Sequence, residues 1–327
     1  MKKVQVLMST YNGADYIAEQ IESIFSQNGQ NEEFATELLI RDDGSTDDTI
    51  SIIQEYSNKF PIKILKSEKS VGFKNSFFEL VDKAEKADYY FFSDQDDIWK
   101  ENKIKRFIEV FRDDISYMVF SDLTMFGNEQ GSLYKRMRLD NSNLTYKHMM
   151  LSERVTGASS AINYAALCVI KQSSLSLKNK IDYHDKLIGM MIPLVGEFTY
   201  LPEQLTKYRR HSNNVTVQSV NSSSWFERRF AALKDPLRDP TIMSIVIKLS
   251  TLAELEKTLK YQKIDIKEER IDFLNRIIKF SGRSYIGQII FCLEFFNVVT
   301  ARRTGKNVWV IKFGVFYALL RGAFLNR

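Results

Sequence analysis

The chain has 327 residues, 44% hydrophobic and 27% charged, with 5 prolines and 14 glycines. These are globular proportions that exclude disorder, collagen and coiled-coil rods as the main state and allow two domains, or one with a long appendage. Net charge is −7 over residues 1–203 (24 Lys+Arg against 31 Asp+Glu) and +12 over residues 204–327 (22 against 10), so the second part expects a polyanionic partner, membrane headgroups or nucleic acid.

Val4–Met8 reads as a core strand followed at once by turn chemistry. Its apolar run is too short for a signal-peptide core, so folding in the cytosol is expected. Cys168 and Cys292 cannot build a disulfide framework, and no CxxC is present, which fits a reducing compartment. Strand and helix then alternate. Asp15–Gln27 is a helix with Ile17, Ile21, Ile24 and Phe25 on one face. Leu38–Ile40 is a strand, Ser45 an N-cap and Thr46–Tyr56 a helix. Ile62–Leu65, Tyr89–Phe92 and Tyr117–Phe120 are strands, separated by helices over Lys74–Ala84 and Trp99–Phe111. This order predicts a parallel sheet covered on both faces.

The middle is less regular. Helices are expected over Leu144–Leu151 and Asp185–Met191, and a strand start at Val155. Short strands at Phe198–Leu201 and Leu205–Tyr208 flank Pro202. The polar Ser219–Ser224 is the candidate linker, dividing a catalytic domain of residues 1–217 from a helical region of residues 218–327. Ile242–Tyr261 and Glu268–Phe280 have helical spacing. Tyr285–Val299 and Val308–Leu325 are unusually apolar, with Arg302, Arg303 and Lys306 between them. Lys312 and Arg321 interrupt the second stretch, which argues against a clean membrane span. In-plane attachment to an anionic membrane is expected, with packing on the first domain as the plainer alternative.

Three strands end in polar turns, and ligands of open α/β sheets bind at the carboxyl ends of the strands. Asp94-Gln95-Asp96-Asp97 places three carboxylates in four residues, which repel one another unless a cation intervenes. Hard divalent ions take oxygen ligands, Mg²⁺ commonly one or two carboxylates plus substrate phosphates. The plain reading is a solvated acidic turn before a helix. The buried strand Tyr-Tyr-Phe-Phe-Ser preceding it favours metal. Asp42-Asp43-Gly44-Ser45 is an ordinary turn by composition. Functionally it offers a carboxylate to a pyrimidine N3–H, with Tyr11 to cover the base. No GxGxxG, GxxxxGK[ST] or GxSxG is present, which removes the fingerprints of dinucleotide-binding, P-loop and hydrolase sites.

Taken together, Ser9-Thr10-Tyr11-Asn12-Gly13, Arg41 to Asp47, Phe92 to Trp99, Thr156-Gly157, His184-Asp185 and Tyr208 to His211 occur in one order. The set resembles the family 2 glycosyltransferases, inverting enzymes of GT-A fold. Within them it looks most like bacterial rhamnosyltransferases of cell-wall and capsular polysaccharides, through Ser-Asp-Gln-Asp-Asp-Ile-Trp and Tyr-Arg-x-His-x-x-Asn-Val. The match spans roughly residues 1–217.

The resemblance implies a GT-A fold, a mostly parallel sheet flanked by helices. It implies that Thr10, Tyr11, Asp43 and Asp94 hold the nucleotide sugar, with Asp42 in support. Asp96 and His211 would bind Mg²⁺ or Mn²⁺, supported by Asp97. Asp185 would be the catalytic base, beside His184. Taken alone, Asp185 would read as a helix N-cap, His184 as a packed core residue and His211 as a surface residue. The implied donor is dTDP-rhamnose, with a UDP-hexose as the alternative. The implied acceptor is a lipid-linked saccharide, and the implied location is the inner face of the plasma membrane. Asp185 is followed by Lys186, Leu187 and Ile188 where such relatives often carry aromatics, a departure on the acceptor side. A nucleic-acid-binding protein is the competing class that the basic tail permits. The acidic first part and the lack of any such motif speak against it.

Overall fold

The computed structural model describes residues 1–65, 69–137, 139, 144–152, 155–173, 175–211, 251–252, 254–264 and 266–278. They fall into two units: residues 1–143, 154–173 and 181–211 in one, and residues 144–153, 174–180 and 212–327 in the other.

The first unit opens with β1 (Lys2–Thr10), α1 (Ile17–Phe25), β2 (Phe34–Asp42), α2 (Thr49–Ser57), β3 (Ile62–Leu65), α3 (Phe73–Lys83) and β4 (Tyr89–Asp94). It continues with β5 (Ile98–Trp99), α4 (Lys103–Ile108), β6 (Tyr117–Gly127), β7 (Gly131–Ser132) and α5 (Leu133–Arg136). A 3₁₀ turn (Gly157–Ser159) leads into β8 (Ser160–Asn163) and α7 (Tyr164–Lys171); α9 (His184–Val195) and β9 (Glu197–Arg210) close the unit. The sheet order is β3-β2-β1-β4-β8-β6-β9-β5, with β7 beside β6.

From β3 to β4 the sheet is parallel, as the alternating pattern predicts. Beyond β4 it is mixed. β8 lies antiparallel to both β4 and β6, so it separates two strands that the sequence order suggested were neighbours. β1 shows why these segments are strands: residues 4–10 are buried on both faces, as a run covered by helices on each side must be. Ile17, Ile21 and Ile24 of α1 pack into the core with Val6, Leu38, Ile40 and Phe91, each aliphatic chain stabilising the fold by about 1.5–3 kcal/mol.

Several expected boundaries move, each for a local reason. Ser45 does not cap α2: its hydroxyl donates to Asp42 (2.5 Å), and the helix starts later at Thr49. Trp99 is drawn out of the expected helix and, with Ile98 before it, pairs with Thr206 and Lys207, so α4 is shorter. Val155 precedes a turn, and the strand begins at Ser160. The two short strands expected around Pro202 are one 14-residue strand, β9. Its register against β6 shifts beside Asp122, and such an irregularity accommodates a proline that cannot donate to the ladder.

The second unit is helical where described: α6 (Tyr146–Ser152), α8 (Leu175–Lys180), residues 254–261 and Glu268–Ile278. Within it Tyr146 meets Phe273 edge-on, centroids 5.5 Å apart, and the Arg270 guanidinium lies 5.4 Å from the Tyr146 ring. Among the described residues no helix is long and apolar enough to cross a membrane. Ser219–Ser224, Tyr285–Val299 and Val308–Leu325 lie outside the described residues.

Candidate active site

Sheet register sets the site. Ser9 pairs with both Arg41 and Asp94, and Thr10 with Asp42, so the carboxyl ends of β1, β2 and β4 lie side by side. The turn after β1 is bracketed by one amide side chain. Gln95 accepts from the Tyr11 N–H (2.9 Å) and donates to the Tyr11 carbonyl (3.0 Å), and Tyr11 as a whole is 56% exposed. A Cβ at Gly13 would stand 2.3 Å from Gln95 Oε1, so a larger residue there would push the Gln95 amide off the Tyr11 turn.

The turn after β2 is closed by its two carboxylates. Asp42 accepts from Thr10 Oγ1 (2.9 Å), Ser45 Oγ (2.5 Å) and the N–H groups of Gly44 (3.0 Å) and Ser45 (2.8 Å). Asp43 accepts from Arg41 (2.6 Å), Ser70 Oγ (2.9 Å) and the N–H groups of Val71 (2.7 Å) and Gly72 (2.9 Å). Burial works to raise the Asp43 carboxyl. The Val71 N–H, Arg41, Ser70 and the Gly72 N–H outweigh it and hold the group below the usual carboxylate range. Arg41 is itself fully buried, donating also to Glu79 (2.5 Å) and Ser76 (2.7 Å).

Asp94 ends β4, and Asp96 and Asp97 stand in the turn between it and β5. β9 reaches this turn from another part of the chain. The Arg209 N–H donates to Asp97 Oδ1 (3.0 Å), Arg209 Nε donates to the Asp96 carbonyl (2.8 Å), and His211 Nε2 lies 2.8 Å from Asp96 Oδ2. Tyr16 stacks on the His211 ring at 5.3 Å. Asp185, in the first turn of α9, accepts from the Gly157 N–H at 3.0 Å.

Charge is concentrated here. Partial burial first, then Asp96 and Asp185, push the Asp94 carboxyl up to about 8. Burial, Asp96 and Asp94 raise Asp97 well above its ordinary value, and its Oδ2 is buried without a hydrogen-bond partner. One cation lies beneath them. Lys103 is fully buried, and burial lowers its ammonium to about 7 against the pull of Asp97 and Asp94. A set of crowded oxygen ligands with one imidazole fits a hard divalent ion. Among the described residues no three His, Cys, Asp or Glu groups converge on one point, so Asp96 and His211 would leave most of the coordination sphere to substrate and water.

The profile described as "Glycosyl transferase family 2" matches residues 5–175, over half of the chain. The chain belongs to glycosyl transferase family 2. The dTDP-rhamnosyl transferase RfbG of Shigella flexneri is 26% identical over 285 residues, spanning 80% of this chain and 95% of RfbG. The poly(ribitol-phosphate) beta-N-acetylglucosaminyltransferase TarS of Staphylococcus aureus is 31% identical over 105 residues, 32% of this chain and 18% of TarS. Among solved structures, S. aureus TarS 1–349 in complex with UDP has a TM-score of 0.56 at 16% identity, covering 97% of this chain and 88% of that one. Likeness at that level carries the fold, which is the GT-A type of this family, with a mixed sheet.

In this family 2 enzyme, the motif residues singled out in the sequence gather at one end of the sheet. Asp94 feels the charge of both Asp96 and Asp185, Asp97 that of Asp96 and Asp94, and His211 pairs with Asp96. Thr10, Asp42 and Asp43 are committed to closing their own turns. Asp185 does not cap α9: Tyr183 holds the cap position, and the Asp185 partner comes from the 157 turn. Sequence reasoning missed Gln95, Arg209 and Lys103 as supports. Lys103 left a signal, a lysine spaced i, i+4 between Trp99 and Phe107 on an apolar stripe.

His184 is buried, stacked on Phe77 at 3.8 Å and near Phe73 and Phe92, with neither ring nitrogen hydrogen-bonded. Burial alone lowers its imidazole to about 3. In the unfolded chain the ring protonates near pH 6.5. Between those values only the unfolded state binds the proton, so stability falls as pH drops below about 6.5, by up to about 1.4 kcal/mol per pH unit. His184→Leu should flatten that slope: between about pH 6.5 and pH 5 wild type should lose about 2 kcal/mol more than the variant in urea unfolding. Parallel curves would refute it.

Proposed function

We propose that this family 2 glycosyltransferase is metal-dependent and inverting, moving L-rhamnose from dTDP-rhamnose onto a lipid-linked saccharide in cell-wall or capsular polysaccharide synthesis. The observation that carries the chemistry is the single cluster joining Asp94, the Asp96–His211 pair and Asp185. What supports the sugar is the span of the likeness to RfbG, 95% of that protein's length.

In this reading the exposed Tyr11 face covers the base. Thr10, Asp42 and Asp43 act on the nucleotide through the turns they fix, and Asp94 through the ribose. Asp96 and His211 hold Mg²⁺ or Mn²⁺, with Asp97 behind them. When bound, the ion neutralises charge developing on the leaving diphosphate. Asp185 accepts the acceptor hydroxyl proton as that oxygen attacks the anomeric carbon, with inversion. His184 packs beneath it. The +12 part of the chain holds the enzyme on the anionic inner face of the plasma membrane, where a lipid-linked acceptor is presented.

Asp185→Asn should slow transfer from dTDP-rhamnose by about 10²–10⁴-fold while dTDP binds with near wild-type affinity. Wild-type turnover would remove the base assignment, and wild-type transfer only from UDP-hexoses would replace the donor. Asp96→Asn should abolish turnover with an unchanged melting temperature, and excess EDTA should silence the wild type; full activity in EDTA would end the metal reading. Deleting residues 285–327 should release the protein from vesicles containing anionic lipid, and continued sedimentation with them would place the attachment elsewhere.

A further inference from the structure

Lys103 opens α4, and its stem runs between two aromatic rings, with Nζ 3.9 Å from the Trp99 centroid and 6.0 Å from that of Phe107. A methionine would fill this volume without burying an ammonium, and burial of a lysine disfavours its charged form. The head group has a specific use. Nζ donates to the Ala158 carbonyl at 2.8 Å, across 55 residues of sequence, and Thr206 Oγ1 reaches the same carbonyl at 3.5 Å.

Ala158 is the centre of the 3₁₀ turn whose preceding residue, Gly157, donates its N–H to Asp185. The turn has little slack. The Thr156 N–H donates to the Tyr134 hydroxyl (3.1 Å), and Ser160 Oγ donates to the Gly157 carbonyl (2.9 Å). A Cβ on Gly157 would stand 2.7 Å from His184 Nε2 and 3.7 Å from Asp185 Cβ. The backbone thus sits against His184 on one side and is fastened to Lys103 one residue away.

We propose that Lys103 is a positioning residue for Asp185: its hydrogen bond to the Ala158 carbonyl fixes the 157–159 turn, so that the Gly157 N–H holds Asp185 Oδ2 facing the acceptor. The proposal rests on the reading of Asp185 as the base. It gives the lysine four residues after Trp99 a task separate from the metal and nucleotide contacts.

The test uses full-length protein labelled with ¹⁵N-glycine. Amide hydrogen exchange is measured at Gly157, with Gly13 and Gly189 as references, in wild type, Lys103→Met and Asp185→Asn. In Lys103→Met, Gly157 should exchange at least about tenfold faster with the references unchanged. With dTDP-rhamnose, kcat should fall about tenfold or more while KM for the donor stays within about twofold. Unchanged Gly157 exchange, or uniform acceleration of all three glycines with a matching drop in Tm, would overturn the proposal in favour of simple packing. If Lys103→Met does not fold, Lys103→Gln, whose shorter amide cannot span the distance, is read by the same criteria. Wild-type turnover in Asp185→Asn would sink the base reading alone. The Gly157 exchange decides the role of Lys103 even if dTDP-rhamnose is not turned over.

Discussion

Everything at this site follows from the repulsion among carboxylates held at one end of a parallel sheet. Asp94, Asp96, Asp97 and Asp185 come from β4, the turn after it and α9; Asp96 and Asp185 raise the proton affinity of Asp94, and Asp96 and Asp94 raise that of Asp97. A protein that only had to fold would leave such a cluster in open water. This one surrounds it with fixed donors, the Arg209 backbone and side chain, His211, the Gly157 N–H and the buried Lys103. Support of that kind keeps the oxygens in place at the carboxyl end of the sheet, a donor set that suits a hard divalent ion.

The same logic explains the division of labour among the turns. Asp42 and Asp43 each accept four hydrogen bonds, nearly the full capacity of a carboxylate. They are spent on fixing loops, with Arg41 as the buried counter-ion. The Tyr11 turn is fixed by Gln95 instead, so its ring is left outward. Rigid turns carrying few free groups let a short list of side chains face the substrate with little ordering left to do on binding.

β9 is the element on which the first unit closes. Its run past Pro202 is long enough to pair with β6 along its length and with β5 at its far end. That pairing pulls Ile98 and Trp99 into the sheet and carries Arg209 and His211 onto the acidic turn. A break at Pro202 into two strands would have left His211 on a separate loop.

Strand and helix alternation, the buried face of α1 and the three polar turns were legible in the sequence because they depend on local periodicity and on residue types within a few positions. The family could be read from its motif strings for the same reason. The chain order of β4, β8 and β6 could not, since an antiparallel insertion leaves no mark on the hydrophobic pattern of its neighbours. Nor could the partners of Asp185, His184 and Lys103. Asp185 looked like a helix cap, but its carboxylate is bound by a backbone N–H 28 residues earlier in the chain. The spacing of Lys103 between Trp99 and Phe107 is visible in the sequence, but only the packing shows that it is buried and bonded to Ala158. The sequence by itself determined which chemical groups the chain carries and the local elements that bear them. The tertiary structure alone decided which groups meet, because contacts between residues tens of positions apart are set by sheet order and register, and neither is encoded in any single stretch of chain.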